Sequence, residues 1–381
     1  MDATYKTMLS LLRCALWGQE EFPLLPAEEK AAVWEELQRQ HVQTLCADVL
    51  GRQGDRNAVQ VAAQGIRRWF QVLTVQSELL KLLEQEKIPV AVLKGGAVDR
   101  YYPRPEYRAM GDIDLLVRPE DFDRAAKAVT VNGGLLFNPK ERHYGYQYKT
   151  VNLELHQHFT LEGGAPLDDR LYAALGHLET VTMQGFTFPV LPTVENGLVL
   201  LEHMKQHLRS GMGLRQMLDW MFYVHACLRE EETFRDTFAP LARKFGLEKL
   251  AITATRLCQD YLGLPAVNWC SEGDAVLCEE LLTQMLDRGN FGEKDIKSSR
   301  AVNMLNLTRH PIRLLRELQT IGCRTWKALR KYPFLKCFAW LYQICRLARR
   351  GFGRKQALSQ LRSDMGKADR LQKLLDELEI A

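Results

Sequence analysis

Apolar residues recur at three- and four-residue spacing across Glu28–Leu50 and Val61–Gln85, with charges between them. That period predicts amphipathic helices over most of the first 86 residues. At Ile88 the pattern changes. Ile88-Pro89-Val90-Ala91-Val92-Leu93 is short, β-rich and apolar, and it halts at Lys94-Gly95-Gly96, the signature of a buried strand running into a glycine turn. A second strand, Asp112 to Val117, ends at Arg118. Pro119, with Glu120 and Asp121, then opens a helix that stops at Asn132-Gly133-Gly134. Tyr144–Tyr148 and Val151–Phe159 alternate as a hairpin or as neighbouring strands, and Phe186–Val190 adds a short one. After Pro192 the helical period returns: from Thr193, a plausible cap, through Leu208, then over Leu214–Leu228, Glu232–Phe245, Leu247–Leu262 and Ala275–Leu286. Basic helices follow Pro311, and a last helix covers Lys355–Ile380. The expected fold is α+β, a small mixed sheet with flanking helices embedded in a largely helical chain. Four regions are expected: 1–86, 87–191, 192–308 and a basic C-terminal segment, 309–381.

Composition narrows the class without changing this picture. The 381 residues are 46% hydrophobic and 26% charged, which excludes disordered, collagen-like and low-complexity architectures. The net charge of +4 hides an asymmetry. Between Arg309 and Lys355 stand 13 Lys/Arg and one acidic residue, Glu317, a local charge of +12 that leaves −8 for the rest. Nine scattered cysteines with no C-x-x-C exclude a zinc ribbon and a disulfide scaffold and fit reduced thiols in a cytoplasmic setting. Asp2 and Arg13 break any secretory leader, and Phe334–Ala348 is too short and too charged to span a bilayer.

Candidate chemistry concentrates in one stretch. On a strand, Asp112 and Asp114 project from the same face while Ile113 and Leu115 point the other way. Two adjacent carboxylates beside an apolar sheet call for a cation between them, and hard oxygen ligands on a rigid strand suit Mg²⁺. Gly95-Gly96 at a strand-to-helix turn lets backbone N–H groups approach a phosphate. Asn152, Glu154, His156 and His158 share one strand face, so Glu154 can supply a third carboxylate. Lys94 either meets a phosphate or is a solvated strand end. Arg108 either steers a triphosphate by bidentate contact or forms a structural ion pair. His203 and His207 lie one helical turn apart, as pocket lining or packing, and Arg215–Asp219 reads as a helical ion pair.

The glycine turn, the D-h-D-h strand and the later acidic strand resemble the nucleotidyltransferase superfamily, the DNA polymerase beta-like fold. The longer string Leu93-Lys94-Gly95-Gly96, Tyr101-Tyr102, Arg108, Gly111-Asp112-Ile113-Asp114-Leu115-Leu116-Val117 is similar to its bacterial uncharacterised nucleotidyltransferase branch. So are Leu153-Glu154-Leu155-His156, the helix bearing Glu202-His203 and His207, and Leu214-Arg215-Gln216-Met217-Leu218-Asp219. The resemblance spans roughly residues 60 to 225. It implies metal ligation by Asp112 and Asp114 with support from Glu154, a triphosphate contact at Gly95-Gly96, and two Mg²⁺ ions, with Mn²⁺ as the alternative. The implied reaction moves a nucleoside monophosphate from NTP, ATP by family tendency, to a hydroxyl acceptor and releases pyrophosphate. This chain carries Gly96 where the superfamily usually has Ser, a slightly longer gap from Gly96 to Asp112, and Glu154 where Asp is frequent.

The competing reading is a catalytically silent member, antitoxin-like or a scaffold, binding through its basic helices. The +12 segment, with Trp326, Tyr332, Phe338, Trp340 and Tyr342 interleaved, admits three uses: nucleic-acid contact, docking on an anionic membrane surface, or a solvated face packed on the acidic body.

Overall fold

A computed structural model describes residues 2–18, 22–161, 163–290, 311–330, 332–351 and 355–380. It divides into two compact units, Met1–Phe291 with Ile380, and Gly292–Glu379. The expected boundary at 308/309, and within the basic segment Arg309, Lys331 and Arg354, lie outside the described residues.

In the first unit the N-terminal helices are α1 (Ala3–Trp17), α2 (Ala27–Arg39), α3 (Ala47–Arg52) and α4 (Arg56–Gln85). Glu28–Leu50 is therefore not one helix: the chain turns at His41, which adopts a φ of 56°, and passes through a 3₁₀ turn, Gln43–Cys46. Asp55 caps α4, accepting from Ala58 N at 3.1 Å.

Seven strands then form one sheet: β1 (Ala91–Leu93), β2 (Ile113–Leu116), β3 (Leu135–Pro139), β4 (His143–Tyr148), β5 (Val151–His156), β6 (Glu179–Met183) and β7 (Phe186–Val190). Their order is β3-β4-β5-β2-β1-β7-β6, with β2–β5 and β1–β7 parallel and the other pairs antiparallel. β3 and β6 were not anticipated from the pattern. β3 shows Leu135, Leu136 and Phe137 largely to solvent, so its residues lack the inside–outside alternation that marks a strand. Short helices α5 (Gly95–Asp99), α6 (Pro119–Val131) and α7 (Pro166–Ala174) join the strands.

One sheet face is apolar. Val92, Ile113, Leu115, Leu153, Leu155 and Tyr146 pack against Trp69, Val72 and Leu79 of α4 and Phe122 and Ala125 of α6. That burial fixes the register, because a one-residue slip would turn Asp112, Asp114 and Glu154 into the core. The helical half continues with α8 (Thr193–Ser210), α9 (Leu214–Cys227), α10 (Glu231–Thr233), α11 (Ala239–Lys244), α12 (Glu248–Leu262) and α13 (Ala275–Arg288). A π-helical turn, Phe234–Phe238, interrupts the helix expected over Glu232–Phe245. α8 and α9 approach so closely that a Cβ on Gly197 would sit 2.4 Å from the Tyr223 ring.

In the second unit helices cover Pro311–Thr325, Ala339–Gly351 and Lys355–Glu377. The first two pack together, and Trp326 stacks on Tyr342 with ring centroids 4.7 Å apart. Phe334, Phe338, Leu341 and Ile344 are exposed. No helix among the described residues is long and apolar enough to cross a membrane, and none of the nine cysteines is in a disulfide.

Candidate active site

The site is built where the central strands end. Asp114 on β2 stands in register with Glu154 on the parallel β5, and Leu93 on β1 pairs with Asp114 from the other side. Asp112 precedes Asp114 by two positions and so shares its face. The result is a cluster in which one carboxylate oxygen from each of Asp112, Asp114 and Glu154 lies within 4.8 Å of the others. They open on a cavity of about 150 Å³ whose walls also include Lys94, Gly95, Arg142, His156, Phe159 and Gln206.

Lys94 enters the cluster from the end of β1. Its backbone adopts a φ of 47°, a region that costs an L-residue energy and concentrates at functional sites. Its Nζ lies 2.7 Å from Asp114 Oδ1, so it is not the solvated strand end that its position in sequence allowed. His156 Nε2 reaches the same oxygen at 3.0 Å and Glu154 Oε2 at 3.5 Å. Asp112 makes no hydrogen bond or ion pair among the described residues.

These placements set the charges. Burial, with the neighbouring Asp114, pushes the Asp112 carboxyl above its usual range. Burial acts the same way on Asp114, but Lys94 and His156 outweigh it and hold that group low. Burial likewise opposes ionisation of Glu154, and His156, Lys94 and His143 together keep it well below the carboxylate range. His156 moves upward: burial disfavours its cation, but the bonds to Asp114 and Glu154 prevail.

Gly95 lines the cavity. Gly96 does not. It is buried where α5 crosses α4, and a Cβ there would meet the Gln76 amide at 3.3 Å and Leu73 at 3.4 Å. Its requirement is close packing that aims the turn.

Arg108 lines the cavity, yet its guanidinium is satisfied internally. Nε and Nη2 donate to Asp219 Oδ1 and Oδ2 at 2.6 and 2.8 Å, and Nη1 donates to Asp99 Oδ1 at 3.2 Å. Tyr102 OH donates to Asp219 Oδ1 at 2.7 Å and Trp69 Nε1 to Asp99 Oδ2 at 2.7 Å. Asp219 thus joins α9 to the loop before β2, a pairing that the Arg215–Asp219 spacing did not suggest. Burial raises the Asp99 carboxyl to about 7 despite Arg108.

The far wall belongs to α8. His203, Gln206 and His207 face the cavity from it. Burial, then Lys94, depresses His203 well below the usual imidazole value, and burial takes His207 down to about 3. Both are neutral rings. Arg142 donates to Gln206 Oε1 at 3.0 Å, and Gln206 in turn donates to Phe159 O at 3.0 Å. His158 faces away, its Nδ1 2.6 Å from Tyr172 OH. Sequence reasoning missed Arg142, His143 and Gln206. Their only signal is strand or helix phase relative to the acidic residues: His143 falls opposite His156, and Gln206 one turn from Glu202.

The donor set fits a hard dication. It offers three carboxylates, one of them without any partner, on a rigid sheet. Four cationic side chains, Lys94, Arg108, Arg142 and Arg215, border the same cavity as the three carboxylates.

The mixed sheet thus presents its carboxylates beside a strand-to-helix turn. Residues 27–263 match the family model described as uncharacterised nucleotidyltransferase, and the chain belongs to that family. No curated protein matches it. Among solved structures, it is similar to the antibiotic-resistance factor ANT(2'')-Ia in solution, at 13% identity and a TM-score of 0.36, covering 45% of this chain and 92% of that one. An antigenic nucleotidyltransferase-like protein from Paracoccidioides brasiliensis is similar at 14% identity and a TM-score of 0.32, covering 51% and 92%.

Proposed function

We propose that the protein is a divalent-cation-dependent nucleotidyltransferase that moves a nucleoside monophosphate from an NTP, ATP foremost, to a hydroxyl acceptor. The acceptor oxygen bonds to the α-phosphorus, the α–β anhydride bond breaks, and pyrophosphate leaves with the acceptor's proton released. The observation that carries this reading is the convergence of Asp112, Asp114 and Glu154, with ligand atoms within 4.8 Å, on one cavity wall.

Those three carboxylates would hold the cation, Mg²⁺ or Mn²⁺ and two ions in the full form. Bound there, it would neutralise triphosphate charge and ease loss of the acceptor proton. Lys94, Gly95 and Gly96 form the turn proposed to face the phosphates, Lys94 with its charge and Gly96 by aiming the backbone. Arg108 contributes as a charge fixed by Asp219 and Asp99 rather than as a free clamp. His203 and His207, neutral and opposite the carboxylates, suit the hydroxyl of an acceptor, because a neutral imidazole both accepts and donates one hydrogen bond.

The test is pyrophosphate release from labelled NTPs with Mg²⁺ across a panel of hydroxyl-bearing acceptors. Asp112→Ala should abolish it. Absence of turnover with every acceptor, together with no nucleotide binding, would favour a silent binding protein.

A further inference from the structure

The face that carries the acidic cluster also carries two histidines placed by the same sheet. His143 on β4 is directly opposite His156 on the antiparallel β5, and Glu154 precedes His156 by two positions. All three therefore project from one face. His143 Nε2 lies 3.4 Å from Glu154 Oε1, and His156 Nε2 lies 3.5 Å from Glu154 Oε2. One ligand atom from each of the three lies within 4.8 Å of the others.

His143 is the observation that asks for a ligand. It is fully buried, 0% exposed, and neither ring nitrogen has a hydrogen-bond partner; His156 Nδ1 is likewise buried and unpartnered. Leaving a buried polar group unsatisfied costs about 1–3 kcal/mol, and native proteins leave few. Packing alone would be served better by an apolar ring. A dication accepting the Nε2 lone pair removes that cost at Nε2.

We propose that His143, Glu154 and His156 form a distinct site for a borderline transition-metal dication of the zinc class. Two imidazoles and one carboxylate are a set that such ions favour and that Mg²⁺, with its demand for oxygen ligands, does not. Tetrahedral bonds of about 2.0–2.1 Å set neighbouring donors roughly 3.3–3.4 Å apart, close to the two separations found. The site goes beyond the proposed transfer reaction but shares Glu154 with it, and ligation through His156 Nε2 would release that ring's proton and replace its 3.0 Å contact with Asp114 Oδ1. Glu154 serves both clusters, so a zinc-class ion on the histidines draws that carboxylate away from Asp112 and Asp114 or bridges to them.

The experiment uses the full chain freed of metal. Zn²⁺ is added to one equivalent and the zinc K-edge spectrum recorded, while Co²⁺ binding is followed by its visible absorption. The expected complex has two imidazole nitrogens and carboxylate oxygen, with no sulfur. Loss of even an outer-shell partner costs about 10–100-fold in metal affinity, so His143→Gln, which loses a ligand, should weaken Co²⁺ binding by more than about 100-fold. Asp112→Asn should leave Co²⁺ binding within a few-fold. An all-oxygen or sulfur-containing shell, or Co²⁺ binding untouched by His143→Gln, overturns the proposal. If His143→Gln does not fold, the wild-type zinc spectrum decides alone. Mg²⁺–NTP binding, measured on the zinc-free protein, reports on the transfer reaction, and its failure would leave the zinc spectrum to decide this site.

Discussion

Lys94 holds its ammonium 2.7 Å from Asp114 Oδ1, at the end of the strand that pairs with the strand carrying Asp114. Without a bound dication, this side chain and His156 are the positive charges in contact with the carboxylate cluster. Removing one partner of a buried ion pair costs about 3–5 kcal/mol. Lys94→Met should therefore destabilise the metal-free protein by about 3 kcal/mol, and Mg²⁺ should recover more stability in the variant than in wild type. Thermal unfolding with and without Mg²⁺ checks this; an equal response of both proteins would contradict it.

Arg108 ties three elements together through Asp219 and Asp99. Arg108→Ala leaves two buried carboxylates without their cation and should cost about 3–5 kcal/mol. Arg108→Lys should not restore it, because an ammonium cannot make the bidentate contact with Asp219. Denaturant unfolding of the two variants is the measurement, and full recovery by lysine would show that only charge matters.

Gly197 gives α8 its close approach to Tyr223. Gly197→Ala forces the helices apart, and overpacking of this kind costs about 1–3 kcal/mol. Because α8 also carries His203 and His207, the variant should weaken acceptor binding more than nucleotide binding. Equilibrium unfolding reads the first effect, and separate titrations with nucleotide and acceptor read the second.

Asp99 supplies a pH dependence. Its folded value is raised to about 7 from 3.8, so its contribution to stability is fully present below 3.8 and is lost as the pH rises through about 7. Wild type should lose melting temperature between about pH 4 and pH 7 relative to Asp99→Asn, whose side chain does not titrate. Parallel pH profiles for the two proteins would contradict the assignment.

Much of the site was legible because strand alternation is a strict rule. The spacing of Asp112 and Asp114 fixed their common face, and the apolar flanks Ile113 and Leu115 fixed which way they look. Glu154 could be aligned with them for the same reason, and the register Asp114–Glu154 follows from both strands burying their alternate residues. Arg108–Asp219 was not legible as a pair, since the two are 111 positions apart and the spacing within the helix pointed Asp219 to Arg215. His143 was hidden at a strand start beside Tyr144, where nothing local marks it as buried. β3 escaped because an edge strand need not alternate, and the break after α2 escaped because no glycine or proline stands at His41.

The most direct measurement is calorimetric titration with a non-hydrolysable NTP analogue, which needs no acceptor. The account predicts one binding event that requires Mg²⁺ and that falls by more than about tenfold, a difference of 1.4 kcal/mol, in Asp112→Asn and in Asp114→Asn. Binding of equal strength without Mg²⁺ or in both variants, or no binding at all, would contradict it.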